Sequence, residues 1–429
     1  MSHPTRPVGR AAPSPTRYRA VGIVVGLALA ASAAGTARAT TTPPASDPPA
    51  ASAAPNEPAT PDTGGNPAGC VEGGQAGADL FPDQFAVQNA ENYTLTYESN
   101  YKVLTVGETS PGAGASTYVL VQCGTDAPAL EGDLADASVV QIPITTMFSE
   151  STSHNGFIDV LDVEGAVTGV GDGSFIVTPS LRQRIDAGAI ESFNTTGVID
   201  TEVVVAADPD VYVTGGFDDP AHGSIAEAGI PVMANAEWLE TTPEGWAEWV
   251  GFFAALTNTE GRANELYGQW IADYETAAAL VAPVSDQPTV LTGGLFEGTW
   301  FANGGAGIVA EFIADAGGDY VYDDNADTGS IQLDIETVLA DAQDADVWVL
   351  ATPFLTEEEA AEADSRNQEF DAWEAGGVWI NSTPSDSGVN PFESGPVMID
   401  EYLLDYIKIL HPDLVEDHEL VFFSPVPES

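Results

Sequence analysis

Basic residues are scarce in this chain of 429 residues, which carries 11 Lys and Arg against 66 Asp and Glu. Five of the 11 lie before residue 40, where there is no acidic residue, so six basic side chains face all 66 acids from there onward. A surface this negative repels phosphate backbones and speaks against a nucleic-acid partner. We interpret the charge as adaptation to salty surroundings, where ions screen the self-repulsion, with a specific cationic partner as the alternative.

Cysteine is almost absent. The two cysteines, Cys70 and Cys123, are predicted to form a disulfide, because an even pair in an oxidising compartment is usually bonded. Two free thiols are the alternative. A zinc site built on this pair would need histidines at close spacing, and the sequence has none there.

Signatures of catalysis are missing. The sequence has no G-x-S-x-G elbow, H-E-x-x-H motif, phosphate-binding P-loop or C-x-x-C pair. Gly169–Gly173 (GVGDG) lacks the last glycine of a dinucleotide fingerprint and is interpreted as a turn. Asp323–Asp334 imitates a calcium loop, but Thr328 stands where glycine is needed and Asp334 replaces the bidentate glutamate. With 66 acids, neighbouring carboxylates arise by chance, so we predict no catalytic residue, no metal site and no enzyme.

Long apolar runs are confined to the amino end. Arginines precede the run Val21–Ala34, and Ala37–Ala39 forms a small-residue cleavage pattern, so residues 1–39 are predicted to be a Sec-type signal peptide. Cleavage and retention as an anchor both stay open. Residues 40–75, rich in Pro, Ala and Thr, are predicted to be a disordered linker. No later segment has 18 uninterrupted apolar residues, so the rest is predicted to be soluble and extracytoplasmic, in a periplasm, at the cell surface or secreted.

The remaining sequence alternates short apolar runs with helical patterns. Tyr93–Val106 and Thr117–Gly124 predict a small antiparallel β extension at 76–135. Buried parallel strands are predicted at Val139–Phe148, Asp210–Gly216, Ile230–Asn235, Pro288–Gly294, Asp346–Pro353 and Gly377–Asn381. Helices are predicted between them at His222–Ala228, Ile308–Ala316 and Ile335–Ala345. This alternation indicates an α/β fold with right-handed crossovers.

The middle of the chain predicts two successive helices. Thr242 and Pro243 have the residue types of a helix start, and Trp246, Trp249 and Phe253 follow on one face, which places them in the core.

The second of these helices is predicted at 258–282 and keeps helical spacing over about 30 Å. We predict that it is a spine joining an N-terminal α/β lobe at 136–257 to a C-terminal α/β lobe at 283–425. The predicted fold class is therefore α/β, with two α/β lobes, one long spine helix and a small N-terminal antiparallel β extension.

Ten sequence pieces, taken in order, are similar to one known family. They are YKVLTV, TYVLVQCG, STSH, DPDVYVTGG, IPVMANAEWLETTPEGWAEWVGFFAALTNTE, GTWFANGG, IADAGGDYVYDD, DADVWV, NPFESG and ILHPDLVEDHELVFF. Their order from Tyr93 to Phe423 resembles the substrate-binding proteins of ABC importers, in the iron-siderophore and cobalamin class with a helical spine. The resemblance implies two α/β lobes around a ligand cleft, delivery of the ligand to a membrane permease, and no enzymatic activity.

The resemblance also implies which residues line the cleft, because this family binds its ligand with loops at the strand ends of both lobes. Carried across by position, these residues are Ser153, His154, Phe217 and Trp238 in the first lobe and Phe296, Glu297, Trp300, Asn390 and Phe392 in the second. For each of them, packing inside a lobe is the alternative. Exposed aromatic rings at strand ends suit a large, flat or lipophilic chelate.

One departure from the family bears on the ligand. Near Ser394–Asp400 the family often has an arginine, and this sequence has none. An anionic siderophore would need guanidinium groups, so we expect a neutral or cationic iron-siderophore, with a corrinoid (cobalamin) or haem as the alternative. A zinc or manganese receptor, which needs about three His and a carboxylate, is a further alternative. We expect no intrinsic cofactor, a monomer, and an ABC permease as the partner.

Overall fold

The computed structural model describes residues 65–72, 79–350, 357–381 and 389–426. The predicted signal peptide and most of the predicted linker lie outside these ranges. Within them the helices are α1 His154–Val160, α2 Pro179–Asp186, α3 Thr201–Ala207, α4 Pro220–Glu227, α5 Pro243–Glu248, α6 Val250–Thr257, α7 Glu260–Val281, α8 Ile308–Asp315, α9 Ile335–Ala342, α10 Glu357–Ala363, α11 Asp371–Ala375, α12 Pro391–Ser394 and α13 Ile399–Leu410. The strands are β1 Tyr93–Tyr97, β2 Tyr101–Val106, β3 Ser116–Gln122, β4 Ser138–Ile142, β5 Met147–Ser149, β6 Val167–Val170, β7 Glu191–Ser192, β8 Val211–Thr214, β9 Val232–Ala234, β10 Thr289–Thr292, β11 Gly294–Phe296, β12 Thr299–Asn303, β13 Asp319–Tyr320, β14 Ser330–Leu333, β15 Val347–Leu350, β16 Val378–Asn381 and β17 Phe423–Pro425.

The N-terminal sheet has the strand order β1-β2-β3-β4. β1, β2 and β3 pair antiparallel, as their alternating sequence predicts, and β4 adds in parallel beside β3. The prediction of one strand over Val139–Phe148 is therefore wrong, because the segment is divided between β4 in this sheet and β5 in the next. Pro143 lies at the division and has no N–H group to continue a ladder. The β extension predicted at 76–135 consequently includes β4 as well.

Each lobe is built on a five-stranded sheet. The first has the order β7-β6-β5-β8-β9 and is parallel throughout. The second has the order β13-β10-β15-β16-β17 and is parallel except for the antiparallel pair of β16 and β17. A smaller antiparallel sheet has the order β11-β12-β14. Parallel sheets whose strands alternate with helices confirm the predicted α/β class.

Both lobe sheets fix the amino ends of two adjacent strands with the same hydrogen-bonded pair. In the first lobe the Asp210 carboxylate accepts from the Thr146 N–H at 2.9 Å, and the Asp210 N–H donates to the Thr146 hydroxyl at 2.9 Å. In the second lobe the Asp346 carboxylate accepts from the Thr289 N–H at 2.9 Å, and the Asp346 N–H donates to the Thr289 hydroxyl at 3.0 Å. The register of β5 with β8, and of β10 with β15, is thereby set at the strand starts.

The long helix predicted at 258–282 is α7, which runs from Glu260 to Val281 over roughly 30 Å. One continuous hydrophobic core includes Trp270 of this helix, Val213 of the first lobe and Val349 of the second. Trp249 and Phe253 of the preceding segment are buried in it, as predicted. Because both lobes share close-packed side chains, they are held more rigidly than a flexible linker would allow. No helix in the described ranges has the length and apolar character that a membrane span needs.

Residues 65–72 form a strap that is bound to the folded body, which corrects the carboxyl end of the predicted linker. Cys70 and Cys123 form the predicted disulfide, with their Cα atoms 4.6 Å apart. The Asn66 side-chain amide donates to the Glu260 carboxylate at 2.7 Å. The Asn258 side-chain amide donates to the Pro67 carbonyl, also at 2.7 Å. The strap therefore joins the N-terminal sheet to the start of α7.

A buried ion pair fastens the same junction. Lys102 of β2 and Glu260 at the start of α7 are both fully buried and bonded to each other. The Lys102 ammonium also donates to the Ala255 carbonyl and the Asn258 side chain, both at 2.8 Å, and lies 4.7 Å from the centre of the Phe81 ring. Burial lowers the pKa of Lys102 to about 8, against the opposing effect of Glu260. The N-terminal sheet is thus attached to the spine by an ion pair whose two side chains are not exposed to solvent.

Candidate functional site

Three exposed aromatic rings lie at one edge of the first lobe. The carboxyl ends of parallel strands meet at a single edge of the sheet, which is where open α/β sheets bind ligands. Phe175, Phe217 and Trp238 follow β6, β8 and β9 at this edge. Their exposed fractions are 54%, 45% and 37%. In the described ranges, Phe392 is the one other aromatic side chain that is exposed to a similar degree.

Phe217 and Trp238 form a stacked pair. Their ring centres are 4.9 Å apart with an angle of 16° between the planes. The Trp238 indole N–H donates to the Gly215 carbonyl at 3.1 Å, which fixes the ring. Gly216 has a φ of +73°, and a Cβ at this position would come 2.9 Å from the Trp238 Nε1 atom and from the Asn235 carbonyl oxygen. The turn therefore requires glycine for its backbone conformation and for the room that Trp238 occupies.

Replacing Gly216 with alanine is expected to move the indole of Trp238 and to destabilise the fold by about 1–3 kcal/mol. The matched control is Gly188→Ala, since Gly188 has a φ of +70° but a Cβ added there would have nothing within 4 Å. Both variants carry the backbone strain, and only Gly216→Ala carries the contact. Near-ultraviolet circular dichroism and tryptophan emission measure the difference; identical spectra for the two variants would contradict the proposed placement of Trp238.

Phe392 of α12 is brought to this edge by its neighbour Glu393. The buried Glu393 carboxylate accepts hydrogen bonds from the Val177 and Thr178 N–H groups at 2.8 and 2.9 Å, in the segment that follows Phe175. α12 also packs against α1 of the first lobe, although it follows the second-lobe strand β16 in sequence. We define the aromatic edge as the four exposed rings of Phe175, Phe217, Trp238 and Phe392, of which Phe392 is 70% exposed.

Asn390, predicted to contact the ligand, is a helix cap in the structure. Its side-chain oxygen accepts from the Phe392 and Glu393 N–H groups at 2.9 and 2.7 Å, and its amide donates to the Glu393 carboxylate at 3.2 Å. A capping Asn satisfies N–H groups that the first helical turn leaves free. Asn390 therefore positions Phe392 and Glu393 rather than presenting its own amide to the cleft.

A polar cluster lies among the loops that carry the aromatic edge. The Ser151 and Ser153 hydroxyls are 2.7 Å apart, in the loop between β5 and α1. Glu237, next to Trp238, is buried, and this burial raises its pKa to about 7, opposed by hydrogen bonds from the Ser153 side chain and from the backbone. The second carboxylate oxygen of Glu237 has no hydrogen-bond partner, and neither does the side-chain nitrogen of Asn235.

Two of the predicted contact residues are core residues instead. His154 is fully buried, with Nδ1 2.8 Å from the Ser149 hydroxyl and its ring 5.4 Å from that of Phe253. Burial lowers the pKa of His154 to about 3, so the ring is neutral at physiological pH. Trp300 is fully buried and stacks on Trp348 with ring centres 5.3 Å apart. The alternation of side chains along β12 points Trp300 inward. Because the side chains of His154 and Trp300 are both fully buried, the predicted ligand contact is wrong for both residues.

Phe296 and Glu297 lie on a hairpin of the second lobe. β11 and β12 are joined by Glu297 and Gly298, which have φ angles of +49° and +84°, the conformation of a two-residue hairpin turn. Glu297 is exposed at the tip and Phe296 is half-buried. The hairpin follows the carboxyl end of β10, so it belongs to the strand-end region of its lobe. The structure thus groups Ser153, Phe217, Trp238 and Phe392 on the first lobe and places the hairpin pair on the second.

The aromatic edge has no free cationic side chain beside it. All six basic residues after position 40 are bonded to protein groups: Lys102, Arg182, Arg184, Arg262, Arg366 and Lys408. Arg182, whose Nη1 bonds the Gly173 carbonyl at 2.6 Å, also pairs with Asp186. Arg184 and Arg262 bond the carbonyl groups of Val167, at the start of β6, and Val160, at the end of α1, so they lie away from the carboxyl ends of the strands. Among the described residues, no guanidinium or ammonium group is therefore free at this edge to receive an anionic ligand, whereas the carboxylate of Glu150 directly follows β5.

No metal centre is formed by the described residues, since no group of three His, Cys, Asp or Glu is placed to hold an ion. His222 bonds Glu150 at 3.0 Å, His411 approaches the Gly317 carbonyl at 3.2 Å, and His418 bonds Asp405 at 2.6 Å. These histidines lie on separate elements with separate partners, which does not favour a zinc or manganese receptor.

Three residues of this region were not predicted from the sequence: Phe175, Glu237 and Glu393. Phe175 had a usable signal, because GVGDG, interpreted from sequence as a turn, contains the last two residues of β6 and the turn after them, and so marks a strand end. Glu237 and Glu393 had no such signal. In a chain with 66 acids, a carboxylate that is buried cannot be distinguished by its type from one that is solvated.

Comparison with known proteins identifies the family. Residues 152–375, more than half of the chain, match the family described as periplasmic binding protein. An uncharacterized lipoprotein of Methanocaldococcus jannaschii is 26% identical over 301 residues, which cover 66% of this chain and 69% of that protein.

Two solved structures share the fold. A periplasmic binding protein of Veillonella parvula has a TM-score of 0.51 at 15% identity, covering 63% of this chain and 92% of the other. CeuE of Helicobacter pylori, with Ni(II) bound, has a TM-score of 0.51 at 13% identity, covering 65% of this chain and 88% of the other. The chain belongs to the periplasmic binding protein family, the extracytoplasmic substrate-binding proteins of ABC importers, which bind solutes and are not enzymes.

Proposed function

We propose that this protein captures a neutral or cationic iron-siderophore, of the ferric hydroxamate type, and delivers it to an ABC permease in the membrane. The observation that carries the proposal is the aromatic edge, where Phe175, Phe217 and Trp238 follow the carboxyl ends of first-lobe strands and Phe392 lies on the helix attached beside them. Soluble proteins rarely group exposed rings in this way unless they meet a ligand or a partner. Large apolar faces are what a ferric chelate offers once its metal is wrapped by the organic ligand.

The charge of the region supports a chelate that is not anionic. No basic side chain of the described residues is left free at the carboxyl ends of the first-lobe strands, where the Glu150 carboxylate and the buried Glu237 carboxyl lie. An anionic chelate would meet repulsion without a compensating fork of guanidinium donors. A cationic chelate would be attracted, and its charge would also favour contact with the aromatic faces.

The first test is to titrate the full chain with ferric chelates at moderate salt and to measure binding by the change in tryptophan fluorescence. We expect saturable binding of a cationic or a neutral ferric trihydroxamate, and at least about ten-fold weaker binding of an anionic ferric tricatecholate, because no guanidinium or ammonium group is free at the strand ends to receive it. Cobalamin and haem belong in the same panel. Binding of either one in preference to every hydroxamate would replace the proposed ligand class, and metal analysis of protein purified without chelators would detect a zinc or manganese receptor.

Substitutions in the aromatic edge are expected to weaken binding. Trp238→Leu and Phe392→Leu should each raise the Kd of the hydroxamate about ten-fold or more, since central aromatic contacts carry much of the binding energy of a site. The control is Tyr101→Leu in β2, which lies in the N-terminal sheet and should leave the Kd unchanged. Equal Kd values for all three variants would remove the aromatic edge from the binding site.

A further inference from the structure

Glu237 stands out because it is an acidic side chain buried beside the exposed indole of Trp238. The two residues share one turn of 3-10 helix, Glu237–Leu239, directly after β9. Glu237 is 1% exposed and has an unpartnered carboxylate oxygen. The side chain of Asn235, whose oxygen accepts from the Glu237 N–H at 3.3 Å, has an unpartnered nitrogen as well. A buried polar group without a partner lowers the stability of the folded protein. The unpartnered atoms of this cluster therefore destabilise the fold.

The charge of Glu237 is not neutralised by a neighbouring base. Burial raises its pKa to about 7, opposed by hydrogen bonds from Ser153 and from the backbone. The titratable groups on the surrounding segments either are uncharged or bond other parts of the protein. His154 is neutral. The acidic groups bond elsewhere: Glu150 to His222, Asp219 to the first turn of α4, Glu240 to the Trp249 indole, and Glu248 to the backbone at Gln88. Asp218 follows Phe217 in sequence, and the pKa of Glu244 on α5 is raised by burial and by Asp315 and Glu275 of other helices. Glu237 therefore has no fixed counter-charge.

We propose that Glu237 is the charge-selecting residue of the site: its carboxyl holds a proton while the cleft is empty and releases that proton to solvent when a cationic ligand lies on the aromatic edge. The inference rests on the proposed function. In it, the site selects its ligand by the positive charge that the ligand carries. A cation close to a buried carboxyl favours the ionised form. By linkage, a ligand that favours proton release binds more weakly as the pH falls below the pKa of the empty site.

The experiment measures the Kd of a cationic and of a neutral ferric trihydroxamate at pH 6, 7 and 8. For the cationic chelate we expect a Kd about ten-fold higher at pH 6 than at pH 8, because at the lower pH one proton must be displaced for each ligand bound. The neutral chelate should show little change. Glu237→Gln, which keeps the size and the acceptor of the side chain but cannot ionise, should make the cationic profile flat.

Two further variants separate Glu237 from its surroundings. His222→Gln removes the imidazole that bonds Glu150 and should leave the profile as in the wild type. Ser153→Ala removes a hydrogen bond that lowers the pKa of Glu237 and should move the midpoint to higher pH. If Glu237→Gln does not fold, calorimetry of the wild type at pH 7 in two buffers of different ionisation enthalpy counts the protons, and about half a proton released per ligand is expected.

The outcomes are distinct. A cationic chelate that binds equally well at pH 6 and pH 8, a Glu237→Gln variant that keeps the pH dependence, or a proton count of zero overturns the inference and leaves the proposed function standing. Absence of binding by every chelate at every pH removes the proposed function, and the role of Glu237 with it.

Discussion

Replacing Lys102 with methionine is expected to lower the free energy of unfolding by about 3–5 kcal/mol, the largest effect of a single substitution proposed for this protein. Lys102 and Glu260 are both fully buried, and the ammonium satisfies the Ala255 carbonyl and the Asn258 side chain as well. Methionine fills the volume but leaves the Glu260 carboxylate buried without its counter-charge. That uncompensated charge, rather than the loss of an attraction, is the source of the cost.

Urea unfolding of the full chain measures this loss of stability. Two further variants test whether the loss comes from the unpaired buried charge. The double variant Lys102→Met with Glu260→Gln removes both charges and should recover part of the loss, so that the two single effects are not additive. Lys408→Met is the control, since the Lys408 ammonium lies near the surface and bonds the Val415 and Glu416 carbonyls; it should cost less than about 1 kcal/mol. A similar loss for Lys102→Met and Lys408→Met would contradict the buried pair.

Removing the disulfide by the double substitution Cys70→Ser with Cys123→Ser is expected to cost about 4 kcal/mol. The bond closes a loop with a sequence separation of 53 residues, and opening it enlarges the set of conformations available to the unfolded chain. The strap would then be held by hydrogen bonds, which include those of Asn66 and Pro67 at the start of α7 and those of Gly69 and Val71 to the end of β3.

The same unfolding measurement, made on the double serine variant and on the wild type with and without reductant, checks this expectation. Reductant should destabilise the wild type and leave the variant unchanged. The Kd of the hydroxamate should be the same in both proteins below the unfolding transition, because the strap lies on the N-terminal sheet and not on the strand ends of the lobes. A change in Kd would show that the strap communicates with the site.

The α/β class, the long helix and most strand positions were predictable because they depend on periodicity. Predicted helices at His222–Ala228, Ile308–Ala316 and Ile335–Ala345 are confirmed as α4, α8 and α9. Gly229 and Gly317 follow the predicted ends of the first two helices and have the left-handed φ angles of helix caps, +98° and +75°. Thr242 accepts the Gly245 N–H at 3.1 Å as the predicted cap of α5. Each of these features is decided within a few residues of sequence.

The failures all concern contacts between distant segments. The alternating pattern of Val139–Phe148 could not show that its two halves join different sheets. Burial of Trp300 depends on Trp348, 48 positions further along, and attachment of α12 to the first lobe depends on Glu393 reaching Val177, a separation of 216 residues. Ser153, Phe217, Trp238, Phe296, Glu297 and Phe392 stay predicted ligand contacts, since their positions are compatible with a cleft and binding has yet to be measured.

The junction between the N-terminal sheet and the spine has a consequence for the order of folding during export. Asn66 bonds Glu260 across a separation of 194 residues, and Lys102 bonds Asn258 across 156. Until the segment near residue 260 has emerged, Lys102 lacks the partners that make its burial possible, so the first four strands cannot close their core on their own. Closing such long loops is slow compared with local structure. Bonds across such separations delay the folding of the amino-terminal strands relative to local structure, and this delay is compatible with the translocation that the predicted Sec-type signal would require.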